Sequence, residues 1–378
     1  SAQSTFFKAD GAAYKAGERL VQPQLAWTLE QIAQGGSDAF YRGEVATRIE
    51  ADMRAHGGLI TRADLAAYRP IEREPLVGTY RGVTVYTPPP ASGGGALLLM
   101  LNILENFELG RMAAGSAESL HLLAETMRLG HRDRVRFFGD TDFAKVPLEG
   151  MTSKAYAAQR AKLINKRKAA KNDAVKAGDP FAFESPSTTH YSVADRYGNV
   201  VSVTYTLGSD FGSGTMIDGT GILLNNQMNN FSHERAWSAA RIGEPAPPNA
   251  MQPGKRMIST MMPTLVFRDD KPWLALGTPG GGRIINTVLQ VLVNIVDFRL
   301  NVDEATHQAR ISQGDGALEV EPNFNPDTLE LLRRKGHRIK ASETMGSAQS
   351  IAIENGFFLG AADPRRPGAA AVAPAEVK

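Results

Sequence analysis

The sequence predicts an α+β layered fold, and three observations support that prediction. Apolar residues recur at helical spacing through most of the first half of the chain. Short stretches that alternate apolar and polar residues follow residue 187, and a further group of helical segments begins near residue 283. Strands in groups, flanked by groups of helices, are typical of layered α+β proteins rather than of a parallel βαβ series.

The first half contains most of the predicted helices. A glycine pair ends each of the first two, because glycine is a natural helix terminator, and Thr61 is placed to cap a short third helix. Two β-type stretches come next, and three prolines at 88–90 close them. The predicted helices are 21–34, 43–55, 62–66, 96–106, 117–137 and 153–163, and the predicted strands are 75–80 and 82–86.

After Ser187 the pattern becomes that of hairpins. Residues 190–194 and 200–205 alternate around a turn at 196–199, and the last hairpin turns at Asn355-Gly356. Further strands are predicted at 221–224, 264–267 and 273–276, with the last two paired, and helices at 283–296, 302–309 and 327–335. The lysine- and alanine-rich stretch 164–178 has weak periodicity, which is typical of a mobile surface linker.

Composition excludes several classes of protein. The chain has 378 residues, 42% of them hydrophobic, and a formal charge of +2, so it can bury a sizeable core and shows no bias towards nucleic acid or a membrane surface. The absence of cysteine excludes thiolate metal sites, disulfides and cysteine nucleophiles. No apolar run approaches the roughly 20 residues that span a bilayer, and residues 1–17 lack the apolar core of a signal peptide.

The common catalytic motifs are also missing. The seven histidines show no metal-ligand spacing, and neither a G-x-S-x-G elbow nor a P-loop is present. The glycine-rich stretch 92–95 is interpreted as a tight loop before a helix rather than as a phosphate cradle. The segment 187–207, STTHYSVADRYGNVVSVTYTL, is the remaining candidate.

This segment is similar to the start of the small subunit of the γ-glutamyltranspeptidases, which are N-terminal-nucleophile hydrolases. The resemblance covers nearly the whole chain. It includes GGLIT at 57–61, PPPASGGG at 88–95, FGSG at 211–214, GILLNNQ at 221–227, KR at 255–256, ST at 259–260, PGG at 279–281 and DPR at 363–365. It implies an αββα sandwich, with one face and edge incomplete because family members carry large-subunit residues upstream of this start. It also implies a large-subunit part at 1–187 and a small-subunit part at 188–378.

The resemblance assigns the nucleophile to Thr188. A threonine hydroxyl needs a neighbouring base, and an N-terminal threonine supplies its own α-amine. The family pattern therefore implies self-cleavage between Ser187 and Thr188, which gives a two-subunit enzyme. Thr206 matches the threonine whose hydroxyl contacts the nucleophile. Gly280 and Gly281 match the backbone amides of the oxyanion hole, where the start of the following helix favours negative charge.

Four further residues match the substrate site of the family. Gln227 and Asn230 correspond to residues near the α-ammonium of the glutamyl group, and Ser259 and Thr260 to the pair that binds its α-carboxylate. Asn230 stands where the transpeptidases have aspartate, a residue also lost in acylases that act on glutaryl side chains.

Two more departures concern the surroundings of the substrate. Gly208 replaces the usual asparagine or glutamate. The segment 233–248 corresponds to the active-site lid, but it has Arg241 where a tyrosine is expected. Both departures favour a roomier and less selective site.

These observations predict a γ-glutamyltransferase or glutathione hydrolase that requires no metal or organic cofactor and binds small γ-glutamyl or glutaryl substrates. The family also implies a periplasmic or secreted location. Two alternatives stay open. One is a glutaryl-type cephalosporin acylase of the same family, and the other is a catalytically silent, unprocessed fragment.

Overall fold

The computed structural model describes residues 2–170, 188–232 and 245–371. Its helices are α1 (Ala2–Phe6), α2 (Pro23–Tyr41), α3 (Glu44–His56), α4 (Arg62–Ala67), α5 (Gly94–Leu104), α6 (Ala117–Phe137), α7 (Leu148–Thr152), α8 (Lys154–Ala161), α9 (Ile284–Val296), α10 (Val302–His307) and α11 (Pro326–Arg334). Its strands are β1 (Leu76–Tyr80), β2 (Val83–Thr87), β3 (Thr189–Ala194), β4 (Val200–Tyr205), β5 (Met216–Ile217), β6 (Ile222–Leu223), β7 (Thr264–Arg268), β8 (Lys271–Leu276), β9 (Ile311–Ser312), β10 (Leu318–Val320), β11 (Ile339–Ala341), β12 (Gln349–Glu354) and β13 (Phe357–Ala362).

The chain divides into two compact units. The smaller contains Ser1–Glu72 and Leu207–Gln227, and the larger contains Arg73–Thr206 and Met228–Lys378. The core of the smaller unit is the buried face of α3, formed by Val45, Ile49 and Met53, together with Ile217 of β5. Apolar side chains of α2 and β6 pack against this core, which joins the two segments of the unit.

The larger unit is built on a six-stranded antiparallel sheet with the order β1-β2-β7-β8-β12-β13. Helices α5, α6 and α9 contribute most of the apolar core beside it, and every residue of α5 is buried. The β3–β4 hairpin forms a separate sheet that packs against β8 and β12. The last four residues of β8 are all buried, as expected of a strand covered on both faces. Helices, central sheet and hairpin are therefore successive layers, and the predicted α+β class is confirmed.

Most predicted elements are present within a few residues. The pairing of β7 with β8 and the final turn at Asn355-Gly356 are confirmed, and both turn residues have positive φ, 52° and 80°. Thr61 caps α4 through a capping box with Asp64, as predicted. The helix expected to end at Gly35-Gly36 is interrupted there, where Gly36 has φ 60°, but it resumes and continues to Tyr41.

Two further features differ from the prediction. The small sheet β11-β10-β9 was missed, because its strands have only two or three residues and too little alternation to detect. The predicted linker starts as packed chain, since the Ala169 N–H donates to the Lys335 carbonyl over 2.7 Å. Residues 171–178 of that linker, residues 233–244 of the predicted lid with Arg241, and Ser187 lie outside the described residues. Within the described ranges, no helix combines the length and apolar character needed to cross a membrane.

Candidate active site

The β3–β4 hairpin places Thr188 opposite Thr206. The register pairs Thr189 with Tyr205 and His190 with Thr204, so the next pair outward is Thr188 and Thr206. The Thr188 hydroxyl lies 3.3 Å from the Thr206 hydroxyl and donates to it, and Thr188 is only 9% exposed. A hydroxyl–hydroxyl hydrogen bond of this length is weak, so it orients the Thr188 side chain without binding it tightly.

The two faces of this hairpin differ in chemistry. Side chains alternate between faces along a strand, and the face that carries Thr188 is lined by small polar groups. These are Thr188, His190, Ser192, Ser202, Thr204 and Thr206. The opposite face carries half-exposed apolar side chains, namely Tyr191, Val193, Val201 and Tyr205. The polar row faces the ends of the neighbouring strands, where the Ser202 hydroxyl donates to the Leu276 carbonyl over 3.2 Å.

The glycine loop, residues 277–283, follows β8 and leads into α9. Gly280 has φ 137° and Gly281 has φ 54°, both in the region that favours glycine. A Cβ added to Gly280 would lie 3.1 Å from the Cα of Gly346, so the backbones approach too closely for a side chain. The loop therefore brings backbone N–H groups to the start of a 13-residue helix, where negative charge is favoured.

Thr260 is bonded to this loop. Its buried hydroxyl donates to the Gly281 carbonyl over 2.9 Å, while the Ser259 hydroxyl accepts from the Met261 N–H over 3.1 Å. The Ser259 N–H donates to the Ala91 carbonyl over 2.7 Å. Ser259 can thus donate its proton to a carboxylate directly, whereas Thr260 must first rotate away from the loop.

Asn230 belongs to the same unit as Ser259. Its side-chain amide donates to the Ile258 carbonyl over 3.2 Å, and Asn249 bridges both segments, donating to the Asn230 carbonyl over 2.7 Å and accepting from the Ile258 N–H over 3.0 Å. The structure thus brings Asn230 next to the segment that carries Ser259 and Thr260.

Gln227 and Gly208 belong to the smaller unit. Gln227 is 9% exposed, and its N–H donates to the Asn225 side chain over 3.0 Å. Gly208 has φ 97°, and a Cβ added there would lie 1.9 Å from Oδ1 of Asn226. Asn226 is held by Ser209, whose N–H and hydroxyl it contacts over 3.0 and 2.8 Å. The conformation of residue 208 therefore requires glycine.

A buried cluster of ionic side chains supports the backbone that packs against the glycine loop. Arg310 contacts Asp363 over 2.6 Å, and Arg365 contacts both Asp363 and Glu321 over 3.0 and 2.5 Å. Burial raises the pKa of the Asp363 carboxyl, but the two arginines reverse the effect and hold that pKa below its usual value.

The carboxylates of this cluster also bind the backbone beside Gly346. Glu321 accepts from the Met345 N–H over 2.6 Å, and Asp363 accepts from the Ala348 N–H over 2.8 Å. The Ser347 N–H donates to the Thr278 hydroxyl over 2.8 Å. The cluster thus holds the strap 345–348 against the glycine loop.

The sequence patterns include the DPR motif but did not indicate two side chains beside the candidate nucleophile, Thr188. Arg366 Nη1 donates to the Thr188 carbonyl over 3.4 Å, and the His190 ring lies in the polar row. The position of His190 two residues after Thr188 was the available signal, because residues i and i+2 of a strand share a face. Nothing in the sequence marked Gly346. In the part of the chain that the structure describes, no group of three His, Asp or Glu side chains is arranged to hold a metal ion.

Comparison with known proteins identifies relatives over nearly the full length of the chain. The family profile described as gamma-glutamyltranspeptidase matches residues 1–373. The chain is 46% identical over 371 residues to the glutathione hydrolase proenzyme of Escherichia coli K12, covering 97% of this chain and 63% of that protein. It is 38% identical over 363 residues to the acylase ACY 1 proenzyme of Pseudomonas sp. SE83, covering 95% of this chain and 62% of that protein.

Among solved structures, the fold is similar to that of the cephalosporin acylase from Bacillus halodurans. The TM-score is 0.83 at 32% sequence identity, and the match covers 95% of this chain and 64% of that one. The chain thus spans slightly less than two thirds of the length of these relatives.

Proposed function

Because this chain belongs to the γ-glutamyltranspeptidase family, we propose that it carries the nucleophile of an amidohydrolase that transfers γ-glutamyl groups from glutathione and similar compounds to water or an amino acid. The observation that carries the proposal is the position of the Thr188 hydroxyl, held opposite Thr206 on a face of neutral polar groups. With no charged side chain in that row, the α-amine of Thr188 is the base available to its hydroxyl once the chain is cut before it.

The chemistry follows from this arrangement. The α-amine removes the hydroxyl proton, and Oγ1 attacks the γ-carbonyl carbon of the substrate, forming a tetrahedral oxyanion. The N–H groups of Gly280 and Gly281 stabilise that negative charge at the start of α9. Collapse of the intermediate expels the amine, which takes a proton, and leaves an ester on Thr188. Water or an amino acid then attacks the ester and regenerates the threonine.

The family resemblance assigns the substrate-binding residues. The Ser259 and Thr260 hydroxyls would bind the α-carboxylate, and Gln227 and Asn230 correspond to residues near the α-ammonium. A neutral Asn230 in place of a carboxylate weakens that ammonium contact. A charged hydrogen bond contributes about 1.5–3 kcal/mol and a neutral one about 0.5–1.5 kcal/mol.

A glutaryl-type acylase is the second candidate, and Asn230 favours it together with the likeness to proteins named as acylases. A glutaryl group lacks the ammonium, so the loss of the aspartate costs it nothing. The exported location, periplasmic or secreted, rests on family resemblance alone, and cell fractionation followed by blotting tests it.

Self-cleavage tests the nucleophile and the proposed division into two subunits. We expect the full-length protein to yield two pieces that meet between Ser187 and Thr188 and stay associated, so this chain would contribute 1–187 to the larger piece and 188–378 to the smaller. Mass spectrometry of the purified protein measures this. A single intact polypeptide without activity would support the silent-precursor alternative instead.

Substrate choice is tested with γ-glutamyl and glutaryl anilides on the wild type and on Asn230→Asp. The energy difference of about 1–2 kcal/mol predicts that Asn230→Asp raises the γ-glutamyl to glutaryl ratio of kcat/KM by roughly tenfold. Asn229→Asp, a carboxylate one position away, is the matched control and should leave the ratio unchanged. An unchanged ratio in Asn230→Asp would show that Asn230 is not at the ammonium.

A further inference from the structure

The imidazole of His190 lies where three segments of the candidate site meet. It is only 4% exposed. Its strand, β3, begins directly after Thr188, and the partner strand β4 leads to Thr206. Its ring also lies over Gly277, the residue that opens the glycine loop. One side chain thus touches the segments that carry the nucleophile, its hydroxyl partner and the proposed oxyanion donors.

Both ring nitrogens of His190 are engaged by neutral hydroxyls. Nδ1 lies 2.7 Å from the Thr204 hydroxyl, and Nε2 lies 3.2 Å from the Ser192 hydroxyl. The Ser192 hydroxyl donates to the Gln349 carbonyl over 3.2 Å, so it accepts from Nε2–H, and Nδ1 accepts from Thr204. This assignment requires a neutral ring, and burial lowers the pKa of His190 to about 4. With both nitrogens occupied, the ring is not available as a general base.

The contact with Gly277 leaves no room for any other residue there. A Cβ added to Gly277 would lie 2.2 Å from Cε1 and 2.4 Å from Nδ1 of His190. The Gly277 carbonyl in turn accepts from the Gln349 N–H over 3.0 Å. The ring is therefore fixed between the hairpin on one side and the first residues of β12 and the glycine loop on the other.

We propose that His190 is a positioning residue that sets the distance between the Thr188 hydroxyl and the N–H groups of the glycine loop. The inference rests on the proposed function, because it takes Thr188 as the nucleophile and that loop as the oxyanion site. Hydroxyls and backbone N–H groups act only when they meet the reacting carbonyl together, and a misplacement of about 1 Å can cost roughly 10²-fold in rate. The class of reaction, acyl transfer from an amide, is unchanged.

The test is a double-mutant cycle between Gly277 and His190 in the full-length protein. In Gly277→Ala the new methyl group displaces the ring, and we expect kcat to fall roughly 10²-fold with KM within about twofold of wild type. His190→Ala leaves the ring space empty and should lower kcat about tenfold. In the double variant the methyl meets no ring, so its kcat should match that of His190→Ala instead of showing the product of the two losses.

Two further variants separate this role from loss of folding. Ser192→Ala removes the hydroxyl that joins His190 Nε2 to the Gln349 carbonyl and should lower kcat only about fivefold, because the imidazole keeps its bond to Thr204. Val193→Thr, isosteric and on the opposite face, should leave kcat and the melting temperature unchanged. Multiplicative losses in the double variant, or a wild-type kcat in both Gly277→Ala and Ser192→Ala, would overturn the role of His190.

Measurement of the self-cleavage rate distinguishes failure of the positioning role of His190 from failure of the proposed function. Self-cleavage uses the Thr188 hydroxyl but needs no added substrate. We expect Gly277→Ala to slow self-cleavage, and the double variant His190→Ala/Gly277→Ala to cleave at the rate of His190→Ala. A wild-type protein that cleaves itself yet turns over no γ-glutamyl or glutaryl amide would contradict the proposed function. The same cycle, measured on self-cleavage, would then still support or overturn the positioning role.

Discussion

The polar row of the hairpin and the ionic cluster behind the glycine loop both bury polar side chains, but the row does so with neutral groups and the cluster with charged ones. The row around Thr188 holds only hydroxyls and a neutral imidazole, joined by single hydrogen bonds of 2.7 to 3.3 Å. The cluster around Asp363 holds two arginines and two carboxylates, with several contacts of 2.5 to 3.0 Å.

The two regions differ in role: the polar row carries the proposed reactive hydroxyl, and the ionic cluster supports the backbone. A cation such as Arg366, which donates to the Thr188 carbonyl over 3.4 Å, lowers the pKa of the α-amine that the proposed mechanism uses, whereas the charges behind the strap 345–348 are paired with one another and act on backbone groups. Buried charges stabilise a fold only while every partner is present. The row should therefore tolerate loss of single hydrogen bonds, and the cluster should not tolerate loss of a single charge.

The largest effect is expected at the proposed nucleophile. Thr188→Ala removes the attacking oxygen, so it should remain uncut and lose activity by about 10⁴-fold or more. Mass spectrometry and an anilide assay measure the two outcomes. Thr189→Ala, the neighbouring exposed threonine, is the control and should be processed normally. Cleavage of Thr188→Ala at the same bond would mean that an external protease makes the cut.

Removal of one charge from the ionic cluster is expected to have the next largest effect. Arg310→Met removes one of the two arginines that pair with the buried Asp363 and leaves Arg365 as its remaining cation, and we expect the free energy of unfolding to fall by about 3–5 kcal/mol in denaturant titrations. Arg333→Met is the matched control, because its ion pair with Glu330 is about half exposed and should contribute less than about 1 kcal/mol. Equal losses in the two variants would remove the distinction between the cluster and an ordinary surface pair.

Acid should reduce the stability contributed by the buried neutral histidines and by the ionic cluster in different pH ranges. Burial lowers the pKa of His131, His190 and His337 to about 4, below the usual 6.5. The unfolded chain then binds more protons, so these residues contribute stability above pH 6.5 that is lost as pH falls towards 4, by up to about 1.4 kcal/mol per pH unit for each histidine. The Asp363 pKa lies below its usual 3.8, so its contribution is lost only below that value.

His337→Gln sharpens this prediction. It removes one titrating ring that lies 2.7 Å from His121, and the slope between pH 6.5 and 4 should decrease by about one proton. His307→Gln, at an exposed histidine, is the control for the substitution itself. Stability measured by denaturant titration at several pH values checks both variants, and an identical slope in His337→Gln would rule out its neutral burial.

The smallest effect is expected at Thr206. Thr206→Val keeps the shape of the side chain and removes a weak hydrogen bond, worth about 1 kcal/mol, so kcat should fall roughly fivefold with the structure intact. Thr79→Val, an exposed threonine on β1, is the control for the same substitution. A loss beyond about 10²-fold would mean that Thr206 takes part in the chemistry instead of orienting the nucleophile.

Long elements were predictable because their signals are local. Helical spacing, glycine stops and the capping threonine defined α3, α4 and α6, and alternation defined the β3–β4 hairpin. The short strands β9, β10 and β11 carry no such pattern, because only their neighbours in the fold determine that they pair. The packed start of the linker was missed for the same reason: its partners, such as Lys335, lie far away in sequence.

For the candidate site, the sequence by itself determined the residue types and their order. The resemblance of short motifs marked Thr188, the glycine loop and the paired hydroxyls as candidates, since a nucleophile, an oxyanion donor and a carboxylate ligand each require particular groups. Only the tertiary structure decided which groups hold them in place. The contacts of His190 with Gly277, of Gly346 with Gly280, and of Arg310 with Asp363 join residues 53 to 87 positions apart in the numbering. Such contacts depend on how strands and loops pack in space, and no local pattern of residues encodes them.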